Sequence, residues 1–201
     1  MTQTKLWLLR HPEPEPDAVG RCYGTLDLDL SEVGLRQAHS LADALAGETL
    51  SAVYTSPSRR CTHAAQILAA GRATTLDALR ELNFGELEGR TYDEIAEAYP
   101  KVYKTWMERP TEVQFPGGES FDDMCARVTS AARDLRARHA GASIALVTHG
   151  GVIRILLAEA LGIPATNIFR IGQSHAAMNL VRYFGDSPVV ELINGTAFSR
   201  R

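Results

Sequence analysis

Lys5-Leu6-Trp7-Leu8-Leu9-Arg10-His11 and Ala145-Leu146-Val147-Thr148-His149-Gly150-Gly151 decide how the rest of the chain is read. Each is a short apolar run that ends in a histidine and then meets turn residues. Runs of this kind suit strands buried on both faces. The second opens through two glycines into a helical pattern, Val152 to Leu161. In open α/β sheets, ligands bind outside the carboxyl ends of the strands. Two histidines at two such ends, one preceded by Arg10, are therefore expected to face one crevice.

Working outward, the remaining segments alternate between strand and helix. Three prolines in Pro12-Glu13-Pro14-Glu15-Pro16 exclude a helix or central strand, so a stiff loop covers the first strand end. Ser31 is an expected N-cap for a helix to about Gly47, with Leu35, Ala38, Leu41 and Leu45 on one face. Ala52 to Ser56 reads as a second buried strand. Ser56-Pro57-Ser58 then starts a helix carrying Arg59, Arg60, His63 and Ile67, ending at Gly71. Ala73 to Leu76 is a weaker strand.

Residues about 84–118 break the alternation. Thr91 and Glu94 form a capping-box pair for a short helix that Tyr99-Pro100 is expected to end. Tyr103, Trp106 and Phe115 make the following piece too apolar for a linker, so it is read as a lid folded over the sheet. Ser120 caps the next helix, which ends near Gly141. A strand over Ser143 to Val147, the Gly150 helix and a closing hairpin (Ala176 to Phe184, Val189 to Ile193) complete the chain. This order predicts a three-layer α/β fold: a mostly parallel sheet with helices on both faces.

Composition narrows the function. The 201 residues, 45% hydrophobic and 22% charged, fit one domain (1–201) with a full core. A net charge of -3 supplies no basic patch for nucleic acid. Cys22, Cys61 and Cys125 make no CxxC pair and read as reduced thiols. No stretch is long and apolar enough to span a bilayer, and the run after Lys5 is too short for a signal sequence. Cytoplasmic residence without a membrane partner is the expectation, and the sequence leaves a homodimer open.

Arg10, Arg60 and two histidines near one crevice suit a dianion, because arginine's planar fork matches phosphate oxygens. Gly150 and Gly151 add backbone donors at a helix start. There is no P-loop, no paired aspartates and no HExxH, so nucleotide cradling and metal hydrolysis lack their usual parts. What remains is phosphoryl transfer to a histidine nucleophile, with no metal or cofactor. The neighbouring arginines disfavour a charged imidazole and keep it nucleophilic.

Leu9-Arg10-His11 with Glu13, Gly24, Asp27, Leu30-Ser31, Ser56-Pro57-Ser58-Arg59-Arg60, Leu79-Arg80-Glu81 with Phe84-Gly85, and Thr148-His149-Gly150 resemble the motifs of the histidine phosphatase superfamily. That is the phosphoglycerate-mutase-like group, and the motifs run in family order. The resemblance implies that His11 is the nucleophile and becomes a phosphohistidine. It implies that Arg10 and Arg60 hold the phosphoryl group, that His149 donates to its oxygens, and that Glu81 is the general acid. It also puts Tyr23, Gly24 and Gly150 against the phosphate. Two positions depart from the family pattern: Pro12 replaces a glycine, and Asp17 an asparagine.

Cys22-Tyr23-Gly24, Leu87-Glu88-Gly89-Arg90-Thr91, Trp106 and Pro116-Gly117-Gly118-Glu119-Ser120 resemble the α-ribazole phosphatase branch. The implied activity is metal-independent hydrolysis of a small phosphate ester, first α-ribazole 5′-phosphate of cobalamin biosynthesis. A broad-specificity or sugar-phosphate phosphatase is the alternative. A phosphoglycerate mutase or a silent phosphate-binding domain fits less well. His39, His63 and His139 are read as surface or packing residues, and His175 carries no assigned role.

Overall fold

A computed structural model describes residues 3–197; positions 1, 2 and 198–201 of the expected 1–201 domain lie outside the described residues. Four parallel strands form one side of a six-stranded sheet in the order β3-β2-β4-β1-β5-β6. They are β1 (Gln3–Arg10), β2 (Leu50–Thr55), β3 (Thr74–Thr75) and β4 (Ser143–Thr148). The closing hairpin, β5 (Ala177–Phe184) and β6 (Ser187–Thr196), adds two antiparallel strands beyond β1.

Strand periodicity sorts the sheet's side chains onto two faces. Leu6, Leu8, Ile144 and Leu146 pack with Val128 and Leu135 of α5 (Phe121–Arg138) and with Ile153 and Leu157 of α6 (Gly150–Leu161). Leu9, Ala145 and Val147 pack instead with Ala38 of α1 (Glu32–Ala44) and with Cys61 and Ala64 of α2 (Arg59–Ala69). Helices on both faces make the three layers expected. Each fully buried leucine in this arrangement contributes about 2 kcal/mol of hydrophobic stabilisation.

The chain leaves β1 for the α1 face and leaves β4 for the α6 face. Adjacent parallel strands whose connections diverge open a crevice at their carboxyl ends. Here those ends are Arg10-His11 and Thr148-His149, paired in register and joined by the His11 amide donating to the Thr148 carbonyl, 2.8 Å.

The lid follows expectation up to Pro100 and adds a helix beyond it. Tyr92–Ala98 forms α3 with the predicted capping box and ends at Tyr99-Pro100 as expected; Pro100 also starts a second helix, α4 (Pro100–Glu108), that the sequence reading does not name. A proline at the first helical position loses no hydrogen bond, and its fixed φ suits a helix start. Helix starts and ends elsewhere shift by a few residues; α2, for example, begins at Arg59 and not at Ser56. Leu87, Ile95, Val113 and Phe115 belong to the same buried cluster as β1 and β4, so the lid base is part of the core.

Candidate active site

The crevice at the β1 and β4 ends is a pocket with a polar floor and an aromatic wall. Arg10, His11, Arg60, Glu81 and His149 form the floor, and Tyr23, Phe84, Tyr92 and Trp106 the wall. The two histidine rings lie edge to face with centroids 5.2 Å apart.

His11 is buried, and its Nδ1 lies 2.8 Å from the Pro12 carbonyl oxygen. A carbonyl only accepts, so Nδ1 carries the proton and Nε2 keeps a free lone pair. Burial, then His149, Arg60 and Arg10, hold this ring's pKa well below the usual histidine value. His11 is thus neutral and nucleophilic at neutral pH. Burial first, then the two arginines, also keeps His149 neutral.

Arg60 is completely buried without a carboxylate partner. Nη1 donates to the Leu26 carbonyl and Nη2 to the Gly24 carbonyl, both at 2.8 Å. Nη2 also lies 3.3 Å from Nδ1 of His149. Arginine is a donor only, so Nδ1 accepts and the His149 proton sits on Nε2, which reaches Ser56 Oγ at 2.7 Å. Arg10 donates to the Gln173 carbonyl at 2.5 Å. Among the described residues, Arg10, Arg60, Arg80 and Arg182 have buried Nε–H groups with no acceptor, and of these four only Arg10 and Arg60 line the pocket. Orphaned charged donors are costly unless a ligand satisfies them. Two cations with two unused N–H groups fit a phosphate dianion.

Glu81 is held by backbone amides: Oε1 accepts from Leu82 and Oε2 from Gly151, each at 3.0 Å. Gly151 allows this approach, since a Cβ there would lie 2.3 Å from Oε1. Arg127 clamps the loop carrying Glu81. It donates to the carbonyls of Ala78, Arg80 and Glu81 and pairs with Glu119 at 2.6 Å.

Of the expected phosphate contacts, Gly24 has its backbone engaged elsewhere. The Gly24 amide donates to Glu88, and its carbonyl holds Arg60, so Gly24 lies behind the floor and not on it. Gly150 starts α6 next to the floor, where a Cβ would lie 3.5 Å from Arg10 Nε and 2.9 Å from Arg154. The proline loop runs away from the pocket along residues 29–31, tied by Glu15 to Asp29 and Ser31 to Glu13. Asp17 is exposed on it, and Arg21, Cys22 and Tyr23 are the first residues beyond it to reach the pocket.

Ser56, Glu88, Arg127 and Gln173 were not assigned roles from sequence. Ser56 and Glu88 stand inside quoted motifs, and Arg127 interrupts the apolar face between Met124 and Val128; those are the available signals. The His175 ring lies 5.4 Å from His11, mainly desolvated to a pKa of about 4, with Nε2 buried and unpartnered. It does not line the pocket. Among the described residues no group of three or more His, Cys, Asp or Glu is arranged to hold a metal ion.

Residues 6–196 match the model of the histidine phosphatase superfamily (branch 1). The chain belongs to this superfamily. It is a histidine phosphatase, a hydrolase of phosphate esters. Phosphoserine phosphatase 1 of Hydrogenobacter thermophilus is 33% identical over 180 residues, 88% of this chain and 85% of that protein. The metal-independent phosphoserine phosphatase of Arabidopsis thaliana is 35% identical over 159 residues, 76% of this chain and 67% of that one. The α-ribazole phosphatase of Shigella flexneri has the same fold: TM-score 0.87, 24% identity, 95% and 96% of the two chains covered. The phosphoglycerate-mutase-like architecture follows from these matches. Among the described residues no helix is long and apolar enough to cross a membrane.

Proposed function

We propose that this histidine phosphatase hydrolyses a small phosphate monoester without a metal, through a phosphohistidine on His11. The observation that carries the reading is the pair of orphaned guanidinium Nε–H groups beside a histidine whose Nε2 is free. His11 Nε2 attacks phosphorus, an N–P bond forms and the ester P–O bond breaks. Glu81 gives its proton to the leaving oxygen, then takes one from the water that attacks the phosphohistidine. Arg10 and Arg60 hold the equatorial oxygens, where charge builds in the transition state. When those oxygens draw Arg60's donors, Nδ1 of His149 is released. A proton carried in by the substrate monoanion makes that nitrogen a donor, while Ser56 keeps Nε2–H.

For the leaving alcohol we infer a flat, apolar group, with α-ribazole 5′-phosphate as the named candidate. Phe84, Tyr92 and Trp106 form a continuous wall beside the floor, with Trp106 5.4 Å from Phe84 and 5.7 Å from Tyr92. A dimethylbenzimidazole reaching out from a fixed phosphate would lie against it. Arg21 on the same pocket supports a second reading, a substrate carrying a carboxylate such as phosphoserine. The identities of the two phosphoserine phosphatases favour it too. Phosphate release from both esters by purified protein tests the choice. Higher kcat/KM on α-ribazole phosphate supports the first reading, and higher kcat/KM on phosphoserine replaces it with the second.

A further inference from the structure

Glu88 stands outside the pocket, just past the 3-10 turn Gly85–Leu87. Four backbone amides donate to its carboxylate. Oε1 accepts from Thr25 at 2.9 Å, Phe84 at 3.1 Å and Gly24 at 3.2 Å. Oε2 accepts from Gly24 at 2.9 Å and Leu26 at 3.3 Å. An ionised carboxylate has about four lone-pair sites, all acceptors, so it is suited to such a cluster of N–H groups.

The same stretch of backbone does a second job with its carbonyls. The oxygens of Gly24 and Leu26 are the two that hold Arg60. Glu88 and Arg60 therefore never touch, yet residues 24–26 lie between them, amides on the carboxylate and carbonyls on the guanidinium. Gly24 makes the close packing feasible: a Cβ there would lie 1.9 Å from the Leu82 oxygen and 3.0 Å from Glu88 Oε1. Two flanking bonds, Gly89 amide to Cys22 carbonyl and Cys22 amide to Arg90 carbonyl, join the two segments as well. Among the described residues, the amides of 24–26 donate to Glu88 and to no other group.

We infer that Glu88 is a positioning residue for catalysis, whose carboxylate fixes the backbone of residues 24–26 and so aims Arg60 at the phosphoryl group. The inference rests on Arg60 as a phosphoryl ligand. A carboxylate that merely stapled the loop would affect melting and leave turnover by the folded enzyme alone. One that aims Arg60 affects kcat, because displacing a transition-state donor by an ångström costs on the order of a hundredfold.

The test uses p-nitrophenyl phosphate and the full chain. Glu88→Ala is expected to lose about tenfold to a hundredfold in kcat, with KM changed less. Formate, which can occupy the space left among the four amides, is expected to restore several-fold of that loss, and neutral formamide none. Wild-type kcat in Glu88→Ala, or a loss that formate does not repair better than formamide, overturns the inference. Should Glu88→Ala not fold, Glu88→Gln keeps the shape but turns an NH2 toward the amide donors. It should cost at least about tenfold with Arg60 present and under about threefold in an Arg60→Ala background. Equal losses in both backgrounds overturn the role of Glu88. Wild-type turnover by Arg60→Ala itself overturns the reading of Arg60, and this inference with it.

Discussion

The floor and the wall of the pocket are built in different ways. His11, Arg60 and His149 are buried at the ends of β1 and β4 and the start of α2, and backbone carbonyls fix His11 and Arg60. Two of the wall's four residues, Tyr92 and Trp106, stand on α3 and α4, and α4 buries no residue completely. Tyr92, at the start of α3, is 43% exposed. The groups proposed to perform the chemistry sit on elements that cannot shift without opening the core. Tyr92 and Trp106, proposed to meet the leaving alcohol, sit on a thin layer that can change without disturbing the floor. This division lets one fold keep a reaction while its substrates vary.

The contrast is sharpest at two adjacent arginines. Arg60→Ala removes a buried donor to the phosphoryl oxygens, and such a loss typically costs on the order of 3 kcal/mol, a hundredfold or more in kcat/KM. Arg59 instead points outward and pairs with Asp29 at 2.6 Å with its side chain 60% exposed. Arg59→Ala should change kcat/KM by less than about threefold, as exposed pairs contribute little. Similar losses in the two variants would erase the distinction between floor and surface.

Acid should attack the floor before the wall. His11 and His149 have pKa values lowered by burial and by the arginines, so the folded state refuses protons that the unfolded chain accepts. Above the unfolded value, about 6.5, both states are neutral and these rings add no pH dependence. Below it, each ring destabilises the fold by about 1.4 kcal/mol per pH unit until its folded pKa is reached. Urea midpoints measured from pH 7.5 to 5.5 should fall, and fall less steeply in His11→Ala. Identical slopes for the two proteins would mean that His11 is not held neutral.

The floor was legible in the sequence because its parts are local. A buried run that stops at a histidine is visible in a few residues, and the order of such runs fixed the layers. Lid helix α4 was missed because Pro100 can close one helix or open the next, and both readings satisfy its geometry. The props of the floor were not legible either. Glu88 works through residues 24–26, Arg127 through the carbonyls of 78–81, and Gln173 through its own carbonyl on Arg10. Bonds to main-chain atoms leave no side-chain pattern at the main-chain end, so no spacing announces them. Gly24 shows the same effect: its motif marked the right place, while its contacts turned out to be Glu88 and Arg60.

The smallest effect belongs to the wall. Trp106→Ala removes a face for a flat base, and such stacking is worth about 1–3 kcal/mol. KM for α-ribazole phosphate should rise by about tenfold, with KM for phosphoserine nearly unchanged. Equal increases for the two substrates would mean that Trp106, in ring contact with Phe84, Tyr92 and Phe115, only packs the lid.

All of these comparisons presuppose a covalent step on the floor, and rapid acid-free quenching of the enzyme with labelled p-nitrophenyl phosphate tests that step directly. Wild-type protein should carry base-stable, acid-labile phosphate on the peptide containing His11, and His11→Ala should carry none. Equal label on His11→Ala, or acid-stable label on any other residue, would contradict the account.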